Sequence, residues 1–321
     1  MSIQRGSRVR QYVIEDLIAQ GGMGSVWRGR DTQRNQLVAI KAVANNLVGD
    51  PEFRIRIQDE ARRHQRLHHP NIVPVPDVFV AEGALCIVMK LIEGSSLAAM
   101  LESRPANRLD VDEATRIVRD VLGALDYAHR QGIVHRDVKP SNVLVDRGGR
   151  VWLFDFGIAL AMGEQRRTRT GLTIGTAAYM SPEQITHPRA IDHRSDVYSV
   201  GCLFYELLTG RPPFLPNEDG VDNTDFALQQ AHVKKPPVSP RARVPSIPPA
   251  LDALIMKALA KNPDDRIPGC QEFVRLLDQV GKSVNGGSGG EGRVDPPPRG
   301  RHVGVVVLAL LALLLLIWSF R

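Results

Sequence analysis

The sequence is poor in cysteine and has no strong excess of charge of either sign. Its 321 residues include three cysteines, Cys86, Cys202 and Cys270, which share no metal-ligand or Cys-x-x-Cys spacing. This excludes a disulfide scaffold and favours a reduced, cytoplasmic environment. The net charge of +6 is mild for the length, so we expect no nucleic-acid partner. Residues 1–20 contain no long apolar run, so no secretory signal is predicted there.

Apolar residues are concentrated at the C-terminal end. Residues 303–320 contain no charge, and as a helix they would span about 27 Å, close to the hydrocarbon core of a bilayer. A soluble helix would keep a polar face, which this stretch lacks. We therefore expect a transmembrane helix at 303–320 after a Gly/Pro-rich juxtamembrane linker at 281–302. Arg293, Arg299 and Arg301 precede the helix and predict a single-pass protein of the inner membrane with its N-terminal part in the cytoplasm.

In the remaining chain, the pattern of apolar and polar residues changes near residue 92. Residues 8–92 are rich in short apolar runs that suit strands, and residues 93–280 show helical periodicity. A strand-rich lobe followed by a helix-rich lobe gives an α+β fold. Strands are predicted at 38–40 and 85–89, and helices at 51–67, 110–128, 197–208 and 271–280.

A glycine-rich turn lies between two predicted strands. Residues 20–26 contain Gly21, Gly22 and Gly24, and glycines let backbone N–H groups approach a phosphate closely. Such turns are common between strands, so this signal is weak by itself.

Lys41 ends the apolar run Val-Ala-Ile-Lys, fifteen residues after Val26. A lysine at the end of a buried strand is costly unless it meets an anion. Glu60 in the following predicted helix could supply the carboxylate, as could Asp59 beside it. An edge strand that lets the lysine reach solvent is the alternative interpretation.

Two further motifs carry the groups that phosphoryl transfer needs. Residues 135–142 read His-Arg-Asp-Val-Lys-Pro-Ser-Asn, which brings an acid, a lysine and an amide into one loop. Residues 154–157 read Phe-Asp-Phe-Gly and place a second aspartate after a short apolar strand. The reaction requires a carboxylate that orients the nucleophile, oxygen ligands for Mg²⁺ and a cation for the developing charge. The order and spacing of these motifs exclude coincidence.

The four motifs resemble those of the protein kinase superfamily, in particular the eukaryotic-like serine/threonine protein kinases of bacteria. The resemblance covers residues 8–280 and implies a bilobal protein-kinase-like fold. It implies that Asp137 is the catalytic base, that Lys139 neutralises the γ-phosphate, and that Asn142 and Asp155 bind Mg²⁺, with Mn²⁺ as an alternative ion. The Asp-x-Lys-Pro-x-Asn pattern is typical of serine/threonine specificity.

The resemblance also implies an ATP site between the lobes. Lys41 would hold the α- and β-phosphates while paired with Glu60, and Met89 would be the gatekeeper before a hinge at Lys90–Ile92. The residues expected around ATP are Ile18, Ala19, Gln20, Gly21, Gly22, Met23, Gly24, Ser25, Val26, Lys41, Lys90 and Ile92.

Two positions depart from the family pattern. Ala19 replaces the first glycine of the Gly-x-Gly-x-x-Gly turn, which restricts the backbone there and could alter closure over ATP. Lys90 replaces the glutamate that is common after the gatekeeper, and we expect little effect because the hinge uses backbone atoms.

The resemblance also implies structural or regulatory roles for further residues. Glu183 would form an ion pair with Arg266, and Asp196 would brace the catalytic loop. Thr168 and Thr170 lie in a Thr-rich loop where related kinases autophosphorylate, with Thr173 as a weaker candidate, whereas Thr176 would help to hold the catalytic aspartate and the substrate. Arg136 would receive the phosphate.

Three functions compete at this stage. The first is an ATP- and Mg²⁺-dependent kinase of protein substrates, held at the lipid bilayer by its C-terminal helix, with a transient homodimer for autophosphorylation in trans. The second is a pseudokinase scaffold, which is disfavoured because Lys41, Asp137 and Asp155 are all present. The third is a small-molecule kinase, which is disfavoured because Ser181-Pro182-Glu183 belongs to peptide recognition in the family.

Overall fold

The N-terminal part folds into one antiparallel sheet. The computed structural model describes residues 3–21, 24–43, 59, 61–81, 83–156, 177–218 and 220–286. The strands follow the order β1-β2-β3-β4-β6-β5, so most neighbours along the chain are also neighbours in the sheet. Their bounds are β1 Arg8–Val9, β2 Tyr12–Gly21, β3 Gly24–Asp31, β4 Gln36–Val43, β5 Asp77–Ala81 and β6 Ala84–Lys90.

The central strand β4 is buried on both faces. Val38 and Ile40 pack into one apolar cluster, whereas Ala39 packs into another together with Met89 of β6. Because successive side chains of a strand point to opposite faces, Lys41 shares the face of Ala39. The strand therefore directs the lysine toward the cluster that also contains residues of the second lobe.

A small second sheet carries the chemistry-bearing loops. It consists of β7 Gly94–Ser96, β8 Val143–Asp146 and β9 Val151–Leu153, in the order β7-β8-β9. Residues 135–142 immediately precede β8, and Asp155 lies two residues after β9. Because β8 and β9 are antiparallel and Val143 pairs with Leu153, both motifs lie at the same end of this hairpin.

Helices make up most of the second lobe. The long helix α2 begins after Asp110, whose side chain accepts a hydrogen bond from the N–H of Glu113, as an N-cap does. The buried helix α4 ends at Gly210, which adopts the left-handed conformation at φ 81°. The helices are α1 Leu97–Glu102, α2 Val111–Arg130, α3 Pro182–Thr186, α4 Arg194–Thr209, α5 Asp225–Lys234, α6 Pro240–Arg243, α7 Pro249–Ala258 and α8 Cys270–Gly286.

The architecture is bilobal, with a β-sheet N-lobe and a helical C-lobe, as the sequence predicts. The predicted strands and the helices near 110–128 and 197–208 are confirmed by β4, β6, α2 and α4. The last helix is longer than predicted, because α8 continues through Gly286 into the stretch assigned to the linker.

The predicted membrane helix at 303–320 lies outside the described residues. Within the part that the structure describes, no helix is long and apolar enough to cross a bilayer.

Candidate active site

The carboxylate of Asp137 lies at the centre of the loop that precedes β8. The Lys139 Nζ lies 2.9 Å from Asp137 Oδ2. The amide nitrogen of Asn142 donates to the same Oδ2 at 2.9 Å and to the Asp137 carbonyl oxygen at 2.7 Å. Pro140–Asn142 forms one 3₁₀ turn, which brings the asparagine back over the aspartate. A nearly buried carboxylate is thus held between an ammonium and an amide.

Asp196 of α4 holds the backbone of this loop through hydrogen bonds to two of its N–H groups. Its Oδ2 accepts from the N–H of His135 at 2.8 Å, and its Oδ1 accepts from the N–H of Arg136 at 2.7 Å. His129 Nε2 lies 2.7 Å from Oδ2. Burial alone would raise the pKa of Asp196, but the hydrogen bond and charge of His129 and the backbone donors outweigh it and lower this pKa. The buried aspartate therefore stays ionised and bonded to the loop.

Lys41 reaches across the cleft to Asp155. Its Nζ lies 2.6 Å from Asp155 Oδ2, and both side chains are mostly buried. Burial would raise the pKa of Asp155, but Lys41, followed by His135 and Lys139, lowers it. The predicted partner Glu60 lies outside the described residues. The structure therefore shows a cation from the N-lobe paired with a carboxylate that follows β9.

Phe156 anchors the segment after Asp155. Its ring centroid lies 4.5 Å from that of His135 and 5.4 Å from that of His64, which belongs to the helical residues 61–64. Burial lowers the pKa of His64 to about 4, and its Nε2 has no hydrogen-bond partner among the described residues. A cavity of about 20 Å³ lies beside His64 and Phe156, behind Met89.

Several of the residues predicted around ATP lie in the hairpin of β2 and β3. Across the β2–β3 hairpin, Ala19 lies opposite Val26 and Gln20 lies opposite Ser25. Gly24 has a φ of 134°, and a Cβ there would lie 2.0 Å from the Ala42 carbonyl oxygen, so only glycine fits. Ile18 is exposed at a register shift in β2, and Gly22 and Met23 lie outside the described residues.

Apolar side chains from both lobes pack together on the face of β4 that carries Lys41. Ala39, Met89 and Ile92 of the N-lobe side pack in one cluster with Leu144 of β8 and Phe154. Leu144 and Phe154 were not predicted around ATP, because the motifs do not show which neighbouring side chains pack in this cluster.

The segment after residue 176 is bonded to the catalytic loop. Arg266 donates to both oxygens of Glu183, at 2.6 and 2.7 Å, and the hydroxyl of Ser195 donates to one of them. Gln184 donates to the carbonyl oxygen of Arg136 at 2.7 Å and caps the N-terminus of α3 together with Ser181. The chain that follows the Thr-rich loop is therefore held beside Asp137.

Comparison with known proteins identifies this arrangement. The family described as "Protein kinase domain" matches residues 12–276 of the chain. The chain belongs to the protein kinase family.

Bacterial members of the family are close in sequence and in structure. Serine/threonine-protein kinase PknE of Mycobacterium tuberculosis is 40% identical over 270 residues, which cover 84% of this chain and 46% of PknE. Serine/threonine-protein kinase PknB of Mycolicibacterium smegmatis is 39% identical over 276 residues, covering 84% of this chain and 43% of PknB. The crystallised kinase domain of M. tuberculosis PknI is 29% identical with a TM-score of 0.71, and the match covers 87% of this chain and all of that domain. The chain thus spans just under half the length of the curated relatives it matches.

The kinase domain offers oxygen ligands for a metal ion that arrives with a nucleotide. Among the described residues, no three His, Cys, Asp or Glu side chains come close enough to hold a metal by themselves. Asn142 uses its amide nitrogen toward Asp137, which leaves its oxygen as the ligand atom, and Asp155 supplies a carboxylate. Mg²⁺ commonly takes one or two such ligands and completes its shell with phosphates and water. The residues present therefore fit Mg²⁺ bound together with ATP.

The contact between Tyr179 and Glu206 in the kinase domain was not predicted from the sequence. The hydroxyl of Tyr179 donates to Glu206 Oε2 at 2.5 Å, and burial raises the pKa of Glu206 to about 7. The residues are 27 positions apart and belong to no joint motif, so only the fold brings them together. The pair ties the segment after the Thr-rich loop to α4.

Proposed function

We propose that the chain is a membrane-anchored serine/threonine protein kinase that transfers the γ-phosphate of ATP to hydroxyl groups of protein substrates. The observation that supports this most directly is the Asp137 carboxylate held between Lys139 and Asn142, opposite the Lys41–Asp155 pair. The relatives named above are serine/threonine kinases, and the Asp-x-Lys-Pro-x-Asn pattern of residues 137–142 agrees with that specificity.

Each side chain has a distinct task in the transfer. Asp137 accepts the hydrogen bond of the substrate hydroxyl and then its proton, while the hydroxyl oxygen forms a bond to the γ-phosphorus. The bond between that phosphorus and the β–γ bridging oxygen breaks, and ADP leaves. Lys139, 2.9 Å from Asp137, stabilises the negative charge on the transferred group. Mg²⁺ bound at Asn142 and Asp155 would neutralise phosphate charge.

Lys41 changes partner in this scheme. In the structure it pairs with Asp155, and with ATP it would turn to the α- and β-phosphates. This exchange would free Asp155 as a metal ligand at the moment when the metal–nucleotide complex arrives.

Labelled ATP tests the activity on the full chain in detergent. We expect wild-type protein to phosphorylate itself and added proteins, and Asp137→Asn to lower the rate about 10²- to 10⁴-fold. Asp112→Asn, on the exposed first turn of α2, is the matched control and should retain full activity. Equal incorporation by wild type and Asp137→Asn would refute the proposal.

The membrane anchor is the second part of the proposal. The uncharged stretch 303–320 and the arginines before it support an inner-membrane location with the kinase domain in the cytoplasm. A chain that ends at residue 302 should move from the membrane fraction to the soluble fraction and keep its kinase activity toward a soluble peptide. Full retention in the membrane fraction would disprove this anchor.

Autophosphorylation at Thr168 and Thr170 is the third part, with transfer in trans within a transient homodimer. Both threonines lie outside the described residues. The Arg136 Nε is buried and has no hydrogen-bond partner in the described part of the chain, which suits a residue that awaits a phosphate. Phosphopeptide mapping of active protein should find phosphate on this pair, and an unmodified loop would contradict the proposal.

A further inference from the structure

A lysine outside the active site closes the end of α5. The Lys261 Nζ donates to the carbonyl oxygens of His232 at 2.7 Å and Ala231 at 3.3 Å, both in the last turn of α5. The last carbonyls of a helix have no partner within the helix, so an ammonium there satisfies them and also favours the negative end of the helix dipole. The same Nζ lies 4.7 Å from the centroid of the Phe214 ring. One cation therefore holds both α5 and the loop that contains Phe214.

His232 completes this contact on the inner side of α5. It is fully buried, its Nδ1 lies 2.9 Å from the Tyr198 hydroxyl, and the edge of the Phe214 ring packs against it. Burial and then Lys261 lower the pKa of His232 to about 3, and the Ala178 carbonyl only partly opposes them. The imidazole therefore stays neutral at physiological pH and is compatible with the ammonium beside it.

The inner face of α5 supports the segment that leads into α3. Leu228 and Ala231 of α5 form one buried cluster with Ala177, Ala178 and Phe214, and Tyr179 packs against it. A few residues later, Gln184 bonds to the backbone of Arg136, next to the catalytic aspartate. Contacts thus run without a break from Lys261 through α5 to the segment beside Asp137.

We infer that Lys261 is a positioning residue for the protein substrate. It holds α5 against residues 177–179, and Gln184 a few residues later bonds to the backbone next to Asp137, so this segment borders the approach to the catalytic aspartate. Among the described residues, the Lys261 side chain contacts α4, α5 and Phe214 and neither the predicted ATP-binding residues nor the catalytic loop, so its effect should fall on peptide binding. This inference rests on the proposed protein kinase activity.

Steady-state kinetics of Lys261→Met separate this role from the chemistry. The probe is the best substrate in an arrayed library of Ser/Thr peptides, used with full-length protein in detergent. We expect the KM for this peptide to rise about fivefold or more, with kcat and the KM for ATP within about twofold of wild type. Lys261→Arg keeps the positive charge and should restore the peptide KM. Lys257→Met, an exposed lysine of α7, is the control.

A pH profile adds a second readout. Burial lowers the pKa of Lys261 to about 8. The titratable and charged groups that face it are Tyr198 and Cys202 of α4, His232 of α5 and Arg266. As the pH rises from 7 to 9 the lysine loses its charge, so the wild-type peptide KM should rise relative to that of Lys261→Arg, whose guanidinium stays charged.

Two results would overturn the inference. One is a peptide KM that is unchanged in Lys261→Met. The other is a fall in kcat, a rise in the KM for ATP and a loss of thermal stability alongside the change in peptide KM, which would mean that the lysine only stabilises the fold. The absence of any phosphorylated peptide with wild-type protein, by contrast, would refute the proposed kinase activity itself.

Discussion

Two of the largely buried ion pairs in the part of the chain that the structure describes are built in opposite ways. Arg266 is fully buried, contacts both oxygens of Glu183, and donates three further hydrogen bonds to the carbonyl oxygens of Arg194, Ala260 and Lys261. Among the described residues, Lys41 contacts one oxygen of Asp155, and both of these side chains keep some exposure.

The difference separates a fixed contact from an exchangeable one. A buried charge is tolerated when all of its hydrogen-bonding positions are filled, and such a pair has no reason to open. Within the described residues, the Lys41–Asp155 pair uses one donor and one acceptor oxygen, so a nucleotide phosphate could replace the carboxylate without a large loss. The Arg266–Glu183 pair therefore belongs to the scaffold, and the Lys41–Asp155 pair belongs to the proposed reaction.

The largest effect on stability is expected when the Arg266–Glu183 pair is broken. Arg266→Met leaves the Glu183 carboxylate buried without its partner, which should lower the free energy of unfolding by about 3–5 kcal/mol. Urea denaturation followed by circular dichroism measures this. Arg275→Met removes an exposed arginine whose partner among the described residues is Glu272, and it should leave the denaturation curve unchanged. An effect of Arg266→Met as small as that of the control would remove the distinction between the two pairs.

Lys41→Met should show the reverse pattern. The loss of the cation that binds the phosphates should lower phosphoryl transfer at least about 10²-fold. The denaturation midpoint should change little, because the partly exposed Asp155 can be solvated. A large loss of stability together with activity would show that this pair is part of the scaffold after all.

His64→Leu sharpens the comparison by altering a group that has no ionic partner. The pKa of the buried His64 is lowered to about 4 from 6.5, so the unfolded chain binds more protons and stability falls as the pH drops from about 6.5 toward 4. Leucine removes this proton linkage, so the difference in the free energy of unfolding between pH 7.5 and pH 5 should shrink by about 1–2 kcal/mol. The thermal midpoints at the two pH values should therefore move closer together. Thermal melts of both proteins at the two pH values test it, and identical pH dependence would contradict it.

The sequence predicts well what is local. The apolar runs of β4 and β6, the N-cap of α2 and the glycine stop of α4 each depend on a few neighbouring residues, and the structure contains all of them. The end of α8 is the exception. Gly281 and Gly286 indicate a break by composition, but the helix continues through them.

Contacts between distant residues were harder to predict. Motif spacing points to Lys41 and Asp155 separately, but their direct contact follows from the fold. The bonds of Lys261 to His232 and of Tyr179 to Glu206 join residues 27–29 positions apart that belong to no shared motif. Their chemistry depends on burial, which one sequence does not reveal residue by residue.

The small cavity behind Met89 has a consequence for inhibitor chemistry. With about 20 Å³ of space, it can accept a methyl group or a water molecule but no aromatic ring. A compound that extends a ring past Met89 would have to displace Phe156 from between His64 and His135. Compounds for this site are therefore better sought among those that stay in front of Met89, or among small substituents that reach the Nε2 of His64, which has no hydrogen-bond partner among the described residues.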